Sequence, residues 1–174
     1  MSDPVGQERD GFEGFDRLWT PHRMAYIVPT EPAEQQGCPF CSMADRPLEE
    51  SLVVHRGETC FAVLNLHPYN PGHLMVLPHR HVAELEDLTT EEANEVMAMT
   101  QQAVRVLREV SGPHAFNIGL NLGGIAGGSL SQHLHQHVVP RWSGDANFIT
   151  VLAGTKTLPQ LLSDTRSLLA EAWT

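Results

Sequence analysis

The chain has 174 residues, of which 41% are hydrophobic, which suits one domain with a real core and excludes a fully disordered chain. Eleven Lys and Arg against 21 Asp and Glu give a formal charge of −10, which excludes a general attraction for nucleic acid or anionic lipid. Lys156 is the one lysine, so an anion site must be built from Arg, His or backbone N–H groups.

Residues 1–15 are polar, acidic and without period, with neither a basic nor an apolar leader region. They are expected to be a mobile N-terminal segment ahead of a single domain over 16–174. The aromatic stretch 18–28 is expected to pack on that domain, and 29–37 to form a loop. Cys38-Pro-Phe-Cys41 has the spacing of half a metal site. With a third cysteine, Cys60, expected as a small buried residue, and no run near the 18 or so apolar residues of a membrane span, this predicts a cytoplasmic protein without membrane contact.

Two β-strands, 60–66 and 73–78, are predicted on either side of the tight turn Pro68-Tyr-Asn-Pro-Gly72. His67 and His73 flank that turn and are expected to be turn or packing residues. After Leu88 the period becomes 3.6. Thr89 can cap a helix with Glu92 three residues on, Ala93, Val96, Met97, Val104 and Leu107 are expected on its apolar face, and Gly112-Pro113 stops it. Met75, Met97 and Met99 are expected as core or helix-face filler. Strands at 115–121 and 134–140 enclose the Gly-rich segment 123–129, and from Leu158 the spacing of Leu161, Leu162, Thr165, Leu168, Leu169 and Ala172 is again helical. Strand pairs separated by a helix, with a helix at the end, give an α+β domain with an antiparallel sheet.

The densest chemistry is Gln132-His-Leu-His-Gln-His-Val-Val-Pro140. Alternation along a strand puts His133, His135 and His137 on one side. His133 and His137 would then stand about 13 Å apart at the backbone, against metal–imidazole bonds of about 2 Å. One ion cannot easily gather all three, so the row should divide its labour. An imidazole with one free ring nitrogen is a good nucleophile toward phosphorus. Gly127-Gly128-Ser129 could supply donors to the phosphate oxygens. Cys38 and Cys41 need two further ligands from among His79, His81 and the histidine row. A catalytic zinc held by alternate strand histidines, and a nucleotide-binding module without turnover, are alternatives at this point.

Residues 38–142 closely resemble the histidine triad (HIT) superfamily. The resemblance is carried by Asn65, the run Pro71-Gly-His-Leu-Met-Val-Leu-Pro78, His81, Asn121, the Gly-Gly-Ser loop and His-x-His-x-His. It implies a HIT-like fold with an antiparallel sheet of about five strands, one long helix and a C-terminal helix. By the same resemblance His135 would be the nucleophile that forms a nucleotidyl-histidine, His137 would contact the α-phosphate, Asn65 the ribose, and Asn121, Gly128 and Ser129 would complete the substrate site. Zinc-bearing bacterial members imply Cys38, Cys41, His81 and His133 as ligands of a structural zinc. Further runs, 18–26, 67–76, 117–123 and 138–148, look like the bacterial branch that includes diadenosine tetraphosphate phosphorylases. That implies cleavage of the dinucleotide by inorganic phosphate to ATP and ADP, with hydrolysis of dinucleoside polyphosphates or adenosine phosphoramidates as the alternative. Arg141, Trp142 and Asn147 are candidates for the far phosphates or second adenosine, and a homodimer or dimer of dimers is expected. No organic cofactor is implied.

Overall fold

The computed structural model describes residues 37–44, 46–47, 51–127, 130–145 and 158–173. All lie within one unit of the chain, Ala33–Thr174. The expectations for 1–15 and 18–28, and those for Gly128, Ser129 and Asn147, fall outside the described residues.

Five strands are present: β1 (Val53–Arg56), β2 (Cys60–Leu64), β3 (Leu74–Pro78), β4 (Ala115–Leu120) and β5 (Gln136–Arg141). They form one antiparallel sheet in the order β1-β2-β3-β5-β4. Helix α1 (Pro39–Ala44) precedes them, α2 (Thr90–Ser111) lies between β3 and β4, and α3 (Leu162–Glu171) follows β5. This is the expected α+β architecture.

Every residue of β2 and β3 is buried, because the sheet is covered on both faces. On one face Ala62, Leu64, Leu74, Val76 and Val138 pack against Val96, Met99, Ala103, Val106 and Leu107 of α2 and Leu169 of α3. On the other, Val53, Phe61, Val63, Met75 and Leu77 pack beneath Phe40 of α1. The second face is the one that carries the histidines. Among the described residues no helix is long and apolar enough to cross a membrane.

The long helix starts where expected. Thr89 accepts from the Glu92 N–H, and the Glu92 carboxylate accepts from the Thr89 N–H, closing a capping box. Gly112 ends it at φ 55°, in the left-handed region that glycine enters without strain.

Its buried face keeps the expected Val96 and Leu107, with Val104 half-buried against the core, and otherwise differs from the one expected. Ala93 and Met97 are exposed, while Glu92, Val96, Met99, Thr100, Ala103, Val106 and Leu107 are buried. Two polar members turn the stripe. Thr100 accepts from Gln136 Nε2 at 2.7 Å, and Glu92 receives Arg80, so both are satisfied inside.

The last strand also begins later than expected, at Gln136, which leaves His133 and His135 in the approach to β5. Freed from strand alternation, His133 reaches a different set of partners from His137. Strands β2 and β4 are shorter than expected, ending at Leu64 and Leu120. At Asn65 the chain turns, its Oδ1 accepting from the His67 N–H at 2.9 Å.

Replacing the capping hydroxyl in Thr89→Ala should cost about 1 kcal/mol. Urea denaturation checks this: the midpoint should fall with the slope unchanged.

Candidate functional site

Three segments converge beneath the histidine-bearing face: α1 with the cysteine pair, the exit of β3, and the approach to β5. Arg80 anchors the second of these to α2 through both Glu92 oxygens, at 2.9 and 2.7 Å, and through the Asp87 carbonyl at 2.7 Å. The Val82 carbonyl accepts from the Leu134 N–H at 2.7 Å, which ties the β3 exit to the histidine row. His81 lies between these two anchors.

Cys38, Cys41, His81 and His133 consequently meet, with their ligand atoms all within 4.8 Å of one another. His133 Nδ1 is 3.4 Å from Cys38 Sγ and 3.6 Å from Cys41 Sγ, and His81 Nδ1 is 3.3 Å from Cys41 Sγ. Bond lengths of about 2.3 Å to sulfur and 2.0–2.1 Å to nitrogen give tetrahedral S···N edges of about 3.5 Å, so the donor set fits one zinc-sized ion. His133 Nε2–H donates to the Pro78 carbonyl at 2.9 Å, which leaves Nδ1 as the ligand atom facing the sulfurs. Burial lowers the His133 pKa, and burial with the Cys38 contact raises that of the Cys41 thiol, so both groups resist charge without an ion.

His135 is buried two residues on. Its Nδ1–H donates to the His133 carbonyl at 2.8 Å, so in the neutral ring Nε2 is the nitrogen that carries the free lone pair. His137 sits beside it, ring centroids 4.9 Å apart, on β5 opposite Met75 and Gly119.

The state of His137 follows from His73, which the sequence suggests only as a turn or packing residue. His73 is fully buried, and its Nδ1 accepts from the Tyr69 N–H at 3.1 Å. Its proton is therefore on Nε2, donated to His137 Nδ1 at 2.9 Å. A neutral His137 must then carry its own proton on Nε2, and the Asn121 amide 3.4 Å away can accept it only when turned to present Oδ1 in place of Nδ2. Burial, with the repulsion that a proton on His73 would meet from protonated His137 or His135, pushes the His73 pKa down to about 3. Burial, with His135, pushes that of His137 down to about 4. The only hint of this in the sequence was a histidine beginning an otherwise apolar strand.

An open cavity of about 430 Å³ begins at His137 and runs between Tyr69, Asn117, Gly119, Asn121 and Arg141. Gly119 leaves the floor next to His137 clear, since a Cβ there would meet nothing within 4 Å. Asn65 faces His73 across the base of the turn, its N–H donating to the His73 carbonyl at 2.9 Å and its Nδ2 3.4 Å from His73 Nδ1. Arg141 borders the cavity, but its guanidinium is held by Asp145 at 2.7 and 3.1 Å and by Asn117 Oδ1 at 2.8 Å. Trp142 instead lines a second cavity of about 390 Å³ near Leu107 and Leu169, its Nε1–H donating to the Ser111 carbonyl at 3.2 Å. The structure thus brings together His135, His137, Asn121, Arg141 and the four-ligand cluster, and leaves Trp142 on its own side.

The buried neutral imidazoles make stability depend on pH. An unfolded histidine titrates near 6.5, so below that value the unfolded chain takes up protons that folded His73 and His137 refuse. Their contribution is complete above about 6.5 and is lost as the pH falls toward about 4 for His137 and about 3 for His73. Urea midpoints should therefore drop between about pH 7.5 and about pH 5, and a His73→Gln chain should show a shallower drop. An identical acid limb in the variant would remove His73 from the account.

Comparison with known proteins agrees with this geometry. The model of the HIT domain family matches residues 46–144. An "AP-4-A phosphorylase" of Mycobacterium tuberculosis is 59% identical over 175 residues, covering 97% of this chain and 88% of that protein. A "Bis(5'-nucleosyl)-tetraphosphatase [asymmetrical]" of Schizosaccharomyces pombe is 35% identical over 95 residues, covering 55% of this chain and 52% of that protein. Among solved structures, a zinc-bound histidine triad family protein from Mycobacterium smegmatis superposes with a TM-score of 0.63 at 28% identity, over 78% of this chain and 92% of that one. On this sequence, fold and site, the chain belongs to the HIT domain family.

Proposed function

We propose that the chain is a nucleotidyltransferase that cleaves diadenosine tetraphosphate with inorganic phosphate, giving ATP and ADP, and that AMP is carried between the two steps on His135. The observation that carries this reading is the His135 ring: Nδ1–H is committed to the His133 carbonyl, which makes Nε2 the nitrogen available for attack in the neutral ring, with His137 beside it. The choice of phosphate as acceptor is supported by the 59% identity to the mycobacterial AP-4-A phosphorylase.

In the first step the Nε2 lone pair attacks the α-phosphorus. The Nε2–P bond forms, the P–O bond to the bridging oxygen breaks, and that electron pair leaves with ATP. Positive charge gathered on the ring is stabilised by the His133 carbonyl against Nδ1–H. His137 Nε2–H is suited to donate to a phosphate oxygen of the α-group. ATP is a stable anionic leaving group, so electrostatic stabilisation at the α-phosphate carries more of the barrier than proton donation. In the second step an oxygen of inorganic phosphate attacks the same phosphorus. The N–P bond breaks, its pair returns to Nε2, and ADP leaves, the surplus proton of hydrogen phosphate passing to solvent.

In this reading Asn65 takes the ribose, Asn121 the α-phosphate, and Arg141 the polyphosphate end of the cavity. Gly128, Ser129, Asn147 and Trp142 remain proposed substrate contacts from the resemblance alone. The ion of Cys38, Cys41, His81 and His133 is proposed to be zinc in a structural role, supported by the zinc-bound mycobacterial relative and by the fit of the donor set. Bound there, it would cross-link α1, the β3 exit and the histidine row. A cytoplasmic homodimer or dimer of dimers completes the proposal, supported by β4 lying at the sheet edge with most of its residues exposed.

Product analysis with labelled inorganic phosphate tests the reading. Label is expected in the β-position of ADP, with ATP unlabelled, and His135→Asn should lower turnover by about a thousandfold or more. Phosphate-independent turnover to AMP and ATP, or undiminished turnover by the variant, would contradict it.

A further inference from the structure

The hydrogen bond from His135 Nδ1–H to the His133 carbonyl sets one ring orientation but, as a single bond, leaves the ring some freedom to rock about its two side-chain torsions. Among the described residues, two rings close that freedom. His137 meets His135 edge-on, at 4.9 Å and 78°, and Phe40 lies against it at 5.2 Å and 50°. His137 has its own anchor in His73. Phe40 is anchored differently, because it sits between Cys38 and Cys41 in the first turn of α1.

Phe40 is 3% exposed and packs with Val53, Phe61, Val63, Met75 and Leu77. It also meets the His133 ring edge-on, at 5.5 Å and 76°. One side chain thus touches a cluster histidine and the ring next to it in the row, from a turn whose flanking residues are both cluster thiols.

We propose that Phe40 is a positioning residue for His135: it holds the imidazole plane so that Nε2 points at the α-phosphorus, and it couples the four-ligand cluster to the nucleophile. This rests on the adenylyl-transfer reading above. Offset and edge-on aromatic contacts stabilise a fixed geometry beyond the area they bury, and a reacting atom displaced by about 1 Å can cost about a hundredfold in rate. Loss of the ring should therefore slow formation of the N–P bond without weakening nucleotide binding.

The test compares wild type with Phe40→Leu and Phe40→Ala, each assayed for metal per chain, thermal midpoint, kcat, KM, and the single-turnover rate of AMP attachment to His135 in the absence of phosphate. Rates are taken per metal-loaded chain, so a variant that loads or folds poorly still reports. Phe40→Leu stays apolar and gives up only part of the buried volume, so it should retain its metal with a small fall in midpoint, with attachment and kcat lowered about tenfold and KM within about twofold of wild type; Phe40→Ala should be slower still. Attachment at the wild-type rate per loaded chain in both variants overturns the inference. So does a loss confined to KM, which would make Phe40 a nucleotide contact instead. If wild type itself takes no AMP onto His135, the adenylyl-transfer reading falls first.

Discussion

Three groups on one residue organise the site. His133 presents Nδ1 to two thiols, donates Nε2–H to the Pro78 carbonyl, and offers its own carbonyl to His135 Nδ1–H. The first pair fixes the ring between α1 and the end of β3. The third sets the tautomer of the next histidine in the row. A buried imidazole with both nitrogens committed cannot drift without leaving a polar group unsatisfied, and that penalty keeps the neighbouring carbonyl in place. The cluster and the nucleophile are therefore parts of one hydrogen-bonded unit.

A second unit fixes His137 from the opposite direction. A backbone N–H at Tyr69 sets the tautomer of His73, which sets that of His137. The hairpin that carries Tyr69 is held by Asn70, whose Nδ2 donates to the Pro140 carbonyl and to Asp145 at 2.8 and 2.7 Å. Asp145 also takes Arg141 and the Trp142 N–H, and the guanidinium beside it holds its carboxyl well below the usual range. The turn after β5 is thereby latched to the turn before β3. One histidine of the row is left with a bare lone pair and the next with a proton to offer, which is the complementary pair that phosphoryl chemistry requires.

Elements with a strong local code were legible in the sequence. Thr89 and Glu92 announced the start of the long helix, Gly112 its end, and the apolar runs on either side of Pro68–Gly72 the central hairpin. What escaped was decided by tertiary partners. Strand β1, four residues long, has too little period to register, and α1 is only six residues. The face of α2 departs in part from its sequence pattern because Glu92 and Thr100 are polar in sequence and satisfied in the fold, while Met97 is apolar and 53% exposed. The division of labour among the three histidines followed from distance alone. The reason it succeeds, that His133 stands outside the strand, did not. His73 was underrated because its role lies in a bond to His137, 64 residues away, which no local pattern encodes.

The central claim is that His135 meets phosphorus through Nε2 because Nδ1–H is bound to the His133 carbonyl. Nitrogen-15 correlation spectra of the labelled protein, recorded before and after exposure to the dinucleotide, examine both halves of that statement. The account predicts a His135 ring protonated on Nδ1 at rest, and nitrogen–phosphorus coupling at Nε2 once AMP is attached. A ring protonated on Nε2 at rest, or phosphorus bonded to Nδ1, would contradict it.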